Sequence, residues 1–266
     1  MTASAAVDAA PGILDVAGLT KRYSGLVALS DYQLQLAPRS IHGIIGPNGA
    51  GKTTLFNLLS GMVRPTAGTI RLFGVDMTER AAHDVARAGI ARTFQNIRLF
   101  GDMSAIDNVK VAVQQRMSIG LVQALLSSPS FHRREDEVTA RATAILDRMG
   151  LGAVAQRQAS SLPYGDQRRL EIARAVATDP KILLLDEPNA GMNQTETADL
   201  LDLIRRLRDE LDLTIILVAH DIPLVMNLCD RIQVLNYGEL IADGPPATVR
   251  NDPAVITAYL GQASSA

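Results

Sequence analysis

The sequence predicts an α/β fold in which a helical segment interrupts a strand-rich core, and three observations indicate it. Apolar runs in "KILLLDEP" (181–188) and "TIILVAHD" (214–221) are typical of strands that are buried on both faces. Between about Phe100 and Ser160, apolar residues recur with helical spacing instead. Before residue 46, shorter segments alternate apolar and polar residues, as strands with one solvated face do.

The elements are expected in the following order. "ILDVAGLTKRY" (13–23) and "YQLQLAPRSIHGIIG" (32–46) supply the first strands, and "HGIIG" leads into a glycine-rich loop. "DNVKVAVQQRM" (107–117) is the clearest start of the helical segment, after which the buried strands return. The end, "RIQVLNYGELIADGPPATV" (231–249), predicts a hairpin that turns at Tyr237–Gly238 and a short terminal helix.

Composition narrows the class of protein. The 266 residues are 47% hydrophobic, which suffices for a sizeable core, and the formal net charge of -2 argues against nucleic acid as a partner. No apolar run approaches the length of a membrane span, and the single cysteine, Cys229, is expected to be a buried thiol without a disulfide. Residues 1–11 are expected to be a disordered leader without secretory-signal character, and 12–266 a single domain in the cytoplasm.

The stretch "GPNGAGKTT" fills the phosphate-loop pattern G-x-x-x-x-G-K-[ST], directly after an apolar strand and before a helical segment. Its backbone N–H groups and the helix N-terminus are expected to surround phosphates. Lys52 would reach the outer phosphates, and the Thr53 hydroxyl would ligate Mg²⁺. The expected ATP-binding residues of this loop are Gly46, Pro47, Asn48, Gly49, Ala50, Gly51, Lys52, Thr53 and Thr54.

Two carboxylates end the buried strand in "KILLLDEP". Burying two adjacent carboxylates costs free energy, so we expect them to have a function. Metal binding by one and general-base catalysis by the other would be such functions. We expect Asp186 to hold Mg²⁺ through water and Glu187 to polarise the water that attacks the γ-phosphate. His220 ends the next buried strand, where a histidine alone is as readily structural as catalytic.

A second glycine-bearing turn, "LPYGDQRRLEIARA" (162–175), runs into a basic helix before the acids. Together these motifs resemble the ATP-binding cassette (ABC) family over nearly the whole chain. The resemblance implies a P-loop NTPase fold with an N-terminal antiparallel β subdomain and an inserted helical subdomain at about 97–175. It also implies that Tyr23 stacks on adenine, that Gln95 in "RTFQN" senses Mg²⁺ and the attacking water, and that His220 contacts the γ-phosphate.

The second turn occupies the place of the family signature, usually Leu-Ser-Gly-Gly-Gln. By the resemblance it binds ATP held by another subunit, through a helix N-terminus with Arg168 and Arg169 close behind. Pro163 replaces a serine whose hydroxyl contacts phosphate, and Asn193 replaces a usual aspartate, so a heterodimer with unequal sites is expected over a homodimer. The signature residues are Leu162, Pro163, Tyr164, Gly165 and Asp166.

Segments without an expected catalytic role indicate which group within the family the chain resembles. "RTFQNIRLF", "SSPSFHRRE", "EPNAGMN" and "NDPAVITAYLG" are similar to an ATPase subunit of branched-chain amino acid ABC importers. This implies an ATP- and Mg²⁺-dependent ATPase that energises import. Its partners would be a second ABC ATPase subunit and two integral membrane permease subunits, with a substrate-binding protein acting indirectly. The chain would then lie on the inner face of the cell membrane.

Three alternatives stay open. One is the ATPase of a lipopolysaccharide-export system, which normally forms a homodimer and keeps the signature serine. Another is a soluble ABC ATPase that acts on DNA, the ribosome or cluster assembly. The last is a non-hydrolysing ATP-binding regulatory module, against which Glu187 and His220 argue. The transported solute is not encoded in this subunit.

Overall fold

The computed structural model describes residues 12–116, 129–219 and 221–263. The leader at 1–11 and His220 therefore lie outside the described residues. The strands are β1 (Leu14–Tyr23), β2 (Leu26–Leu36), β3 (Ile41–Ile45), β4 (Ala67–Leu72), β5 (Val75–Asp76), β6 (Ile90–Arg92), β7 (Ile182–Asp186), β8 (Thr214–Val218), β9 (Arg231–Asn236) and β10 (Glu239–Gly244).

Nine α-helices are described among and after these strands, and two 3₁₀ turns, Gly152–Val154 and Ala159–Ser161, precede the signature. The end of the chain has two short helices where the sequence predicted one. The α-helices are α1 (Lys52–Leu59), α2 (Ala82–Ala88), α3 (Ala105–Arg116), α4 (Pro129–Arg148), α5 (Tyr164–Ala177), α6 (Gln194–Leu211), α7 (Ile222–Leu228), α8 (Pro246–Arg250) and α9 (Pro253–Ala263).

The strands form two sheets. A four-stranded antiparallel sheet has the order β2-β1-β4-β5, and a six-stranded sheet has the order β10-β9-β3-β8-β7-β6. In the larger sheet all neighbouring pairs are parallel except β9 and β10, which form the predicted hairpin with its turn at Tyr237–Gly238. The α/β class and the antiparallel N-terminal sheet are therefore confirmed.

Two cores cover the two faces of the larger sheet, as the continuous apolar runs predicted. In β7, Leu183 and Leu185 belong to one core, and Ile182 and Leu184 belong to the other. The first core also takes in α3, α4 and α5, so the helical segment shares it with the sheet. Cys229 is buried there, as expected, and burial raises the pKa of its thiol. Among the described residues, no helix is long and apolar enough to cross a bilayer.

Candidate functional site

Parallel pairing brings the expected site residues to one edge of the larger sheet. Asp186, the last residue of β7, pairs with Val218 at the end of β8, which in turn pairs with Ile44 of β3. The phosphate loop follows β3, Glu187 follows β7, and His220, outside the described residues, follows β8 in the sequence. Ligands of open α/β sheets bind at this carboxyl edge.

The phosphate loop is fitted closely against the β9–β10 hairpin. A side-chain carbon at Gly46 would stand 2.1 Å from the Leu235 carbonyl oxygen, so glycine is required for this approach. At the hairpin turn, the Gly238 N–H donates to the Ala50 carbonyl oxygen at 3.0 Å. The loop then enters α1 through Gly51, whose φ of 104° lies in the left-handed region. The helix N-terminus therefore opens towards the loop, as an anion site needs.

Lys52 is buried within this loop. Its ammonium donates to the carbonyl oxygens of Gly46 at 2.6 Å and Pro47 at 2.8 Å. Burial lowers the pKa of Lys52, and the nearby carboxylates of Glu187 and Asp186 act in the opposite direction. The cation thus lies between the phosphate loop and the strand-end acids.

Asp186 has a partner that the sequence did not suggest. Its Oδ2 atom accepts from Arg92 at 2.9 Å, and both side chains are almost fully buried. The same guanidinium donates to the Asn57 side chain of α1 at 2.7 Å and lies 5.4 Å from the centroid of Phe56. Arg92 therefore balances the buried charge of Asp186 and ties β6 to α1 and β7.

Gln95 and Glu187 meet across the site. The Gln95 side-chain amide donates to the Glu187 carboxylate at 3.1 Å. Glu187 has a φ of 47°, rare for a residue with a side chain, and its N–H donates to the Val218 carbonyl oxygen at 2.8 Å. Both residues border a cavity of about 540 Å³. The other lining residues are Tyr23, Leu26, Val27, Ala28, Asn48, Gly49, Ala50, Gly51, Lys52, Thr53, Thr54 and Tyr237.

Two tyrosines line this cavity, and the sequence suggested a role for one of them. Tyr23 is 42% exposed, and the Lys21 ammonium lies 5.0 Å from its ring centroid while donating to the Arg64 carbonyl oxygen. Tyr237, at the hairpin turn, is 83% exposed. The turn was predicted, but only the contact between Gly238 and Ala50 brings it beside the phosphate loop.

The signature turn lies apart from this cavity, since none of its five residues is among the described residues that line it. Pro163 is the N-cap of α5, and its carbonyl oxygen accepts from the Gln167 N–H at 2.9 Å. Leu162 is buried, whereas Pro163 and Tyr164 are exposed. The start of α5 is therefore accessible for contact with a second molecule.

Arg168, one of the two arginines close behind the turn in the sequence, points into the protein. Its guanidinium is fully buried and binds Glu171 and three backbone carbonyl groups. The reason is helical periodicity, because Arg168 follows Gly165 by three residues on the buried face of α5. Arg169 points elsewhere and pairs with Asp199 of α6 at 3.4 Å.

Asn193, the other departure from the family pattern, has a structural role. It is the N-cap of α6, where its side chain accepts from the Glu196 N–H at 2.9 Å. The Glu196 carboxylate accepts in return from the Asn193 N–H at 2.9 Å, which completes a capping box. Asparagine caps as well as aspartate does, so this substitution leaves the local structure intact.

The donors at this edge suit Mg²⁺. Thr53, Gln95 and Asp186 offer hydroxyl, amide and carboxylate oxygens, the hard ligands that this ion takes together with phosphates and water. Among the described residues, no group of three or more histidine, cysteine, aspartate or glutamate side chains is placed to hold a metal.

Two protein families and several known proteins are similar to this chain. Residues 29–190 match the family described as ABC transporter, and residues 239–264 match the family described as branched-chain amino acid ATP-binding cassette transporter. The high-affinity branched-chain amino acid transport ATP-binding protein LivG of Escherichia coli (strain K12) is 50% identical over 94% of this chain and 98% of its own. BraF of Pseudomonas aeruginosa, with the same description, is 47% identical over the same shares.

More distant relatives extend the comparison. The lipopolysaccharide export system ATP-binding protein LptB of Acidithiobacillus ferridurans is 34% identical over 94% of this chain and 97% of its own. Among solved structures, the ADP conformation of MJ1267, an ATP-binding cassette of an ABC transporter, is 27% identical with a TM-score of 0.81, covering 94% of this chain and 98% of its own. The chain therefore belongs to the nucleotide-binding ABC transporter family, within the group of branched-chain amino acid transport ATP-binding proteins.

Proposed function

We propose that this chain hydrolyses ATP to energise the import of branched-chain or related amino acids. The observation that carries the proposal is the hydrogen-bonded pair of Gln95 and Glu187 in the cavity formed by the phosphate loop. The 47–50% identity to LivG and BraF supports this transport role over lipopolysaccharide export, because LptB is only 34% identical.

Hydrolysis would proceed by attack of a water molecule on the γ-phosphorus of ATP. Glu187 takes the proton of this water, the oxygen forms the new bond to phosphorus, and the bond to the β–γ bridging oxygen breaks to release ADP and phosphate. Gln95 orients the carboxylate or the water, and His220 would contact the γ-phosphate. Mg²⁺, when bound through Thr53 and Asp186, neutralises charge on the phosphates.

The other side chains of the cavity would bind the nucleotide. We propose that the loop N–H groups and Lys52 hold the phosphates, since the loop and Lys52 line the cavity at a helix N-terminus. Tyr23 would stack on adenine with the ring face that Lys21 leaves uncovered.

The signature turn would complete the site of a second ABC ATPase subunit. Its position at the exposed start of α5, away from this chain's own cavity, supports a dimer in which each subunit contacts the other's ATP. Pro163 supplies no hydroxyl there, which favours a heterodimer.

A groove of about 410 Å³ beside Phe94 would receive a cytoplasmic segment of a permease subunit. Apolar residues of α2 and α3 line it. Two lining arginines stack on aromatic rings: the Arg98 guanidinium lies 4.2 Å from the centroid of Phe94, and that of Arg174 lies 4.7 Å from the centroid of Phe100. These cations suit an amphipathic segment with an acidic side chain. The chain would then be held at the inner face of the membrane through its permease subunits, with a substrate-binding protein acting from outside.

Replacement of the proposed base tests the function. In a reconstituted complex with its membrane partners, Glu187→Gln should keep ATP binding but lose nearly all hydrolysis and leucine uptake, because the amide cannot accept the proton. Glu210→Gln, on an exposed α6 glutamate paired with Arg148, is the control and should behave as wild type. Wild-type turnover in Glu187→Gln would exclude the base assignment, and ATP-driven uptake of a different class of solute would exclude the substrate class.

A further inference from the structure

Arg168 joins three segments that are far apart in the sequence. Its Nη1 atom donates to the Phe94 carbonyl oxygen and to the Glu171 carboxylate, both at 2.7 Å. Its Nη2 atom donates to the carbonyl oxygens of Gln95 at 3.0 Å and Glu187 at 3.1 Å. The guanidinium is fully buried, and its Nε atom has no hydrogen-bond partner. Such an arrangement uses the fixed fork of donors that distinguishes arginine from lysine.

These contacts hold the backbone of both residues of the proposed catalytic pair. Glu187 has an unusual φ of 47°, and its N–H donates to the Val218 carbonyl oxygen. Its own carbonyl oxygen accepts from both the Ala190 N–H and Arg168, each at 3.1 Å. Phe94 is held on both sides, because its N–H donates to Glu171 at 3.2 Å. A residue in a sparsely populated conformation persists only when its surroundings fix it. The separation of Gln95 from Glu187 therefore depends on the guanidinium.

Arg168 also belongs to the helix that the signature turn begins. Gly165 and Arg168 are one turn apart on the buried face of α5, within one continuous hydrogen-bonded helix. A displacement of the signature turn is thereby passed to the carbonyl groups of Gln95 and Glu187. The link runs through hydrogen bonds within one chain.

The geometry points to Arg168 as a positioning residue that sets the Gln95–Glu187 pair and joins it to the signature helix. This inference rests on the proposed ATPase function. In a dimer whose signature contacts the partner's ATP, nucleotide bound at that turn would change the rate in this chain's own cavity. Arg168 itself is fully buried and is not among the described residues that line the cavity.

The test compares Arg168→Met and Arg168→Lys with wild type in the complex with its partner subunits. Arg168→Met removes every donor, and Arg168→Lys keeps the charge beside Glu171 but not the fork. We expect kcat to fall about ten- to a hundredfold in Arg168→Met and less in Arg168→Lys, with the Kd for ATP changed by less than about twofold, because misplacement affects the chemical step. If Arg168→Met does not fold, Arg168→Lys decides the question.

Amide hydrogen exchange distinguishes a local change at the catalytic pair from a loss of overall stability. Peptides that cover 92–97 and 184–189 should exchange faster in the variants, and peptides of β2 should not. In wild type, ATP bound at the signature should slow exchange in both peptides, and Arg168→Met should abolish that response. Arg208→Met, which removes an α6 guanidinium paired with Asp209, controls for loss of an ion pair.

The outcomes separate this inference from the function on which it rests. If wild type does not hydrolyse ATP, the proposed function fails. If wild type is active and both folded variants keep its kcat and its exchange response, Arg168 is only a buried structural group and the inference is wrong. A fall in melting temperature with unchanged kcat leads to the same conclusion.

Discussion

Individual residues in this chain carry buried charge, and each charge has a partner. Arg92 faces Asp186, Arg168 faces Glu171, and Lys52 is held by two loop carbonyl groups. Removing one member of such a pair leaves an unpaired charge and costs more than the pair contributes. The charged groups near the cavity therefore depend on one another. The effect of a substitution there should be set mainly by the partner charge that it leaves unpaired.

Tyr237 should contribute to binding the base, because its exposed ring lines the cavity with Tyr23. We expect Tyr237→Ala to weaken ATP binding about tenfold, the usual scale of one aromatic stacking contact with a base. Tyr237→Phe, which keeps the ring, should bind ATP as wild type does. Titration with inorganic triphosphate, which has no base, checks the cause. Equal weakening for ATP and triphosphate would show a disturbed phosphate loop instead.

At the scale of single elements, β3 shows how packing constrains a strand that ends in the site. A side-chain carbon at Gly43 would stand 2.6 Å from Val225 and 2.9 Å from the Cys229 sulfur, so glycine lets α7 pack against this strand. Its neighbour His42 is buried, and its Nε2 atom has no hydrogen-bond partner. The packing of β3 at Gly43 and the protonation of His42 thus depend on the residues that surround this strand.

Stability should depend on pH through His42. Burial lowers the pKa of His42 to about 4, with Asp243 opposing this and Arg231 adding to it. The unfolded chain takes up this proton near pH 6.5, whereas the folded chain takes it up only near pH 4. The free energy of unfolding should therefore decrease as the pH falls through that window, by up to about 1.4 kcal/mol per pH unit. Urea unfolding between pH 7 and 5 measures the slope.

His42→Gln should reduce that slope, and His83→Gln, which changes an exposed histidine of α2, should not. An equal slope in wild type and His42→Gln would assign the dependence to other groups.

At the scale of the whole molecule, the phosphate loop and the signature turn lie on different parts of the surface. The phosphate loop shares its cavity with Gln95 and Glu187, and the signature begins α5 outside that cavity. In the proposed dimer, a single copy would supply one half of each of two sites. Of the two residues that depart from the family pattern, only Pro163 is expected to make the two sites differ. The other, Asn193, caps α6.

Pro163→Ser should accelerate hydrolysis at the partner subunit's site about tenfold, since a hydrogen bond to a charged phosphate is worth about 1.5–3 kcal/mol. The rate at this chain's own site should not change. Single-turnover hydrolysis in heterodimers with one general base replaced by glutamine reads each site alone. Equal rates at both wild-type sites, or a fully active homodimer of this chain, would contradict the asymmetry.

The sequence by itself determined the α/β class, the hairpin at Tyr237–Gly238, the phosphate loop and the pair of strand-end acids. Each is encoded in a short continuous stretch, where backbone conformation, apolar spacing and side-chain type act locally. The division into domains and the roles of the site residues stay predictions, including that of His220.

Only the tertiary structure decided that Arg168 faces inward, that Arg92 neutralises Asp186, and that Tyr237 joins the nucleotide cavity. Arg92 and Asp186 are 94 residues apart in the chain, and Arg168 and Phe94 are 74 apart. Such partners are chosen by sheet order and helix packing, because a buried charge takes whichever opposite charge or carbonyl group the fold brings within reach.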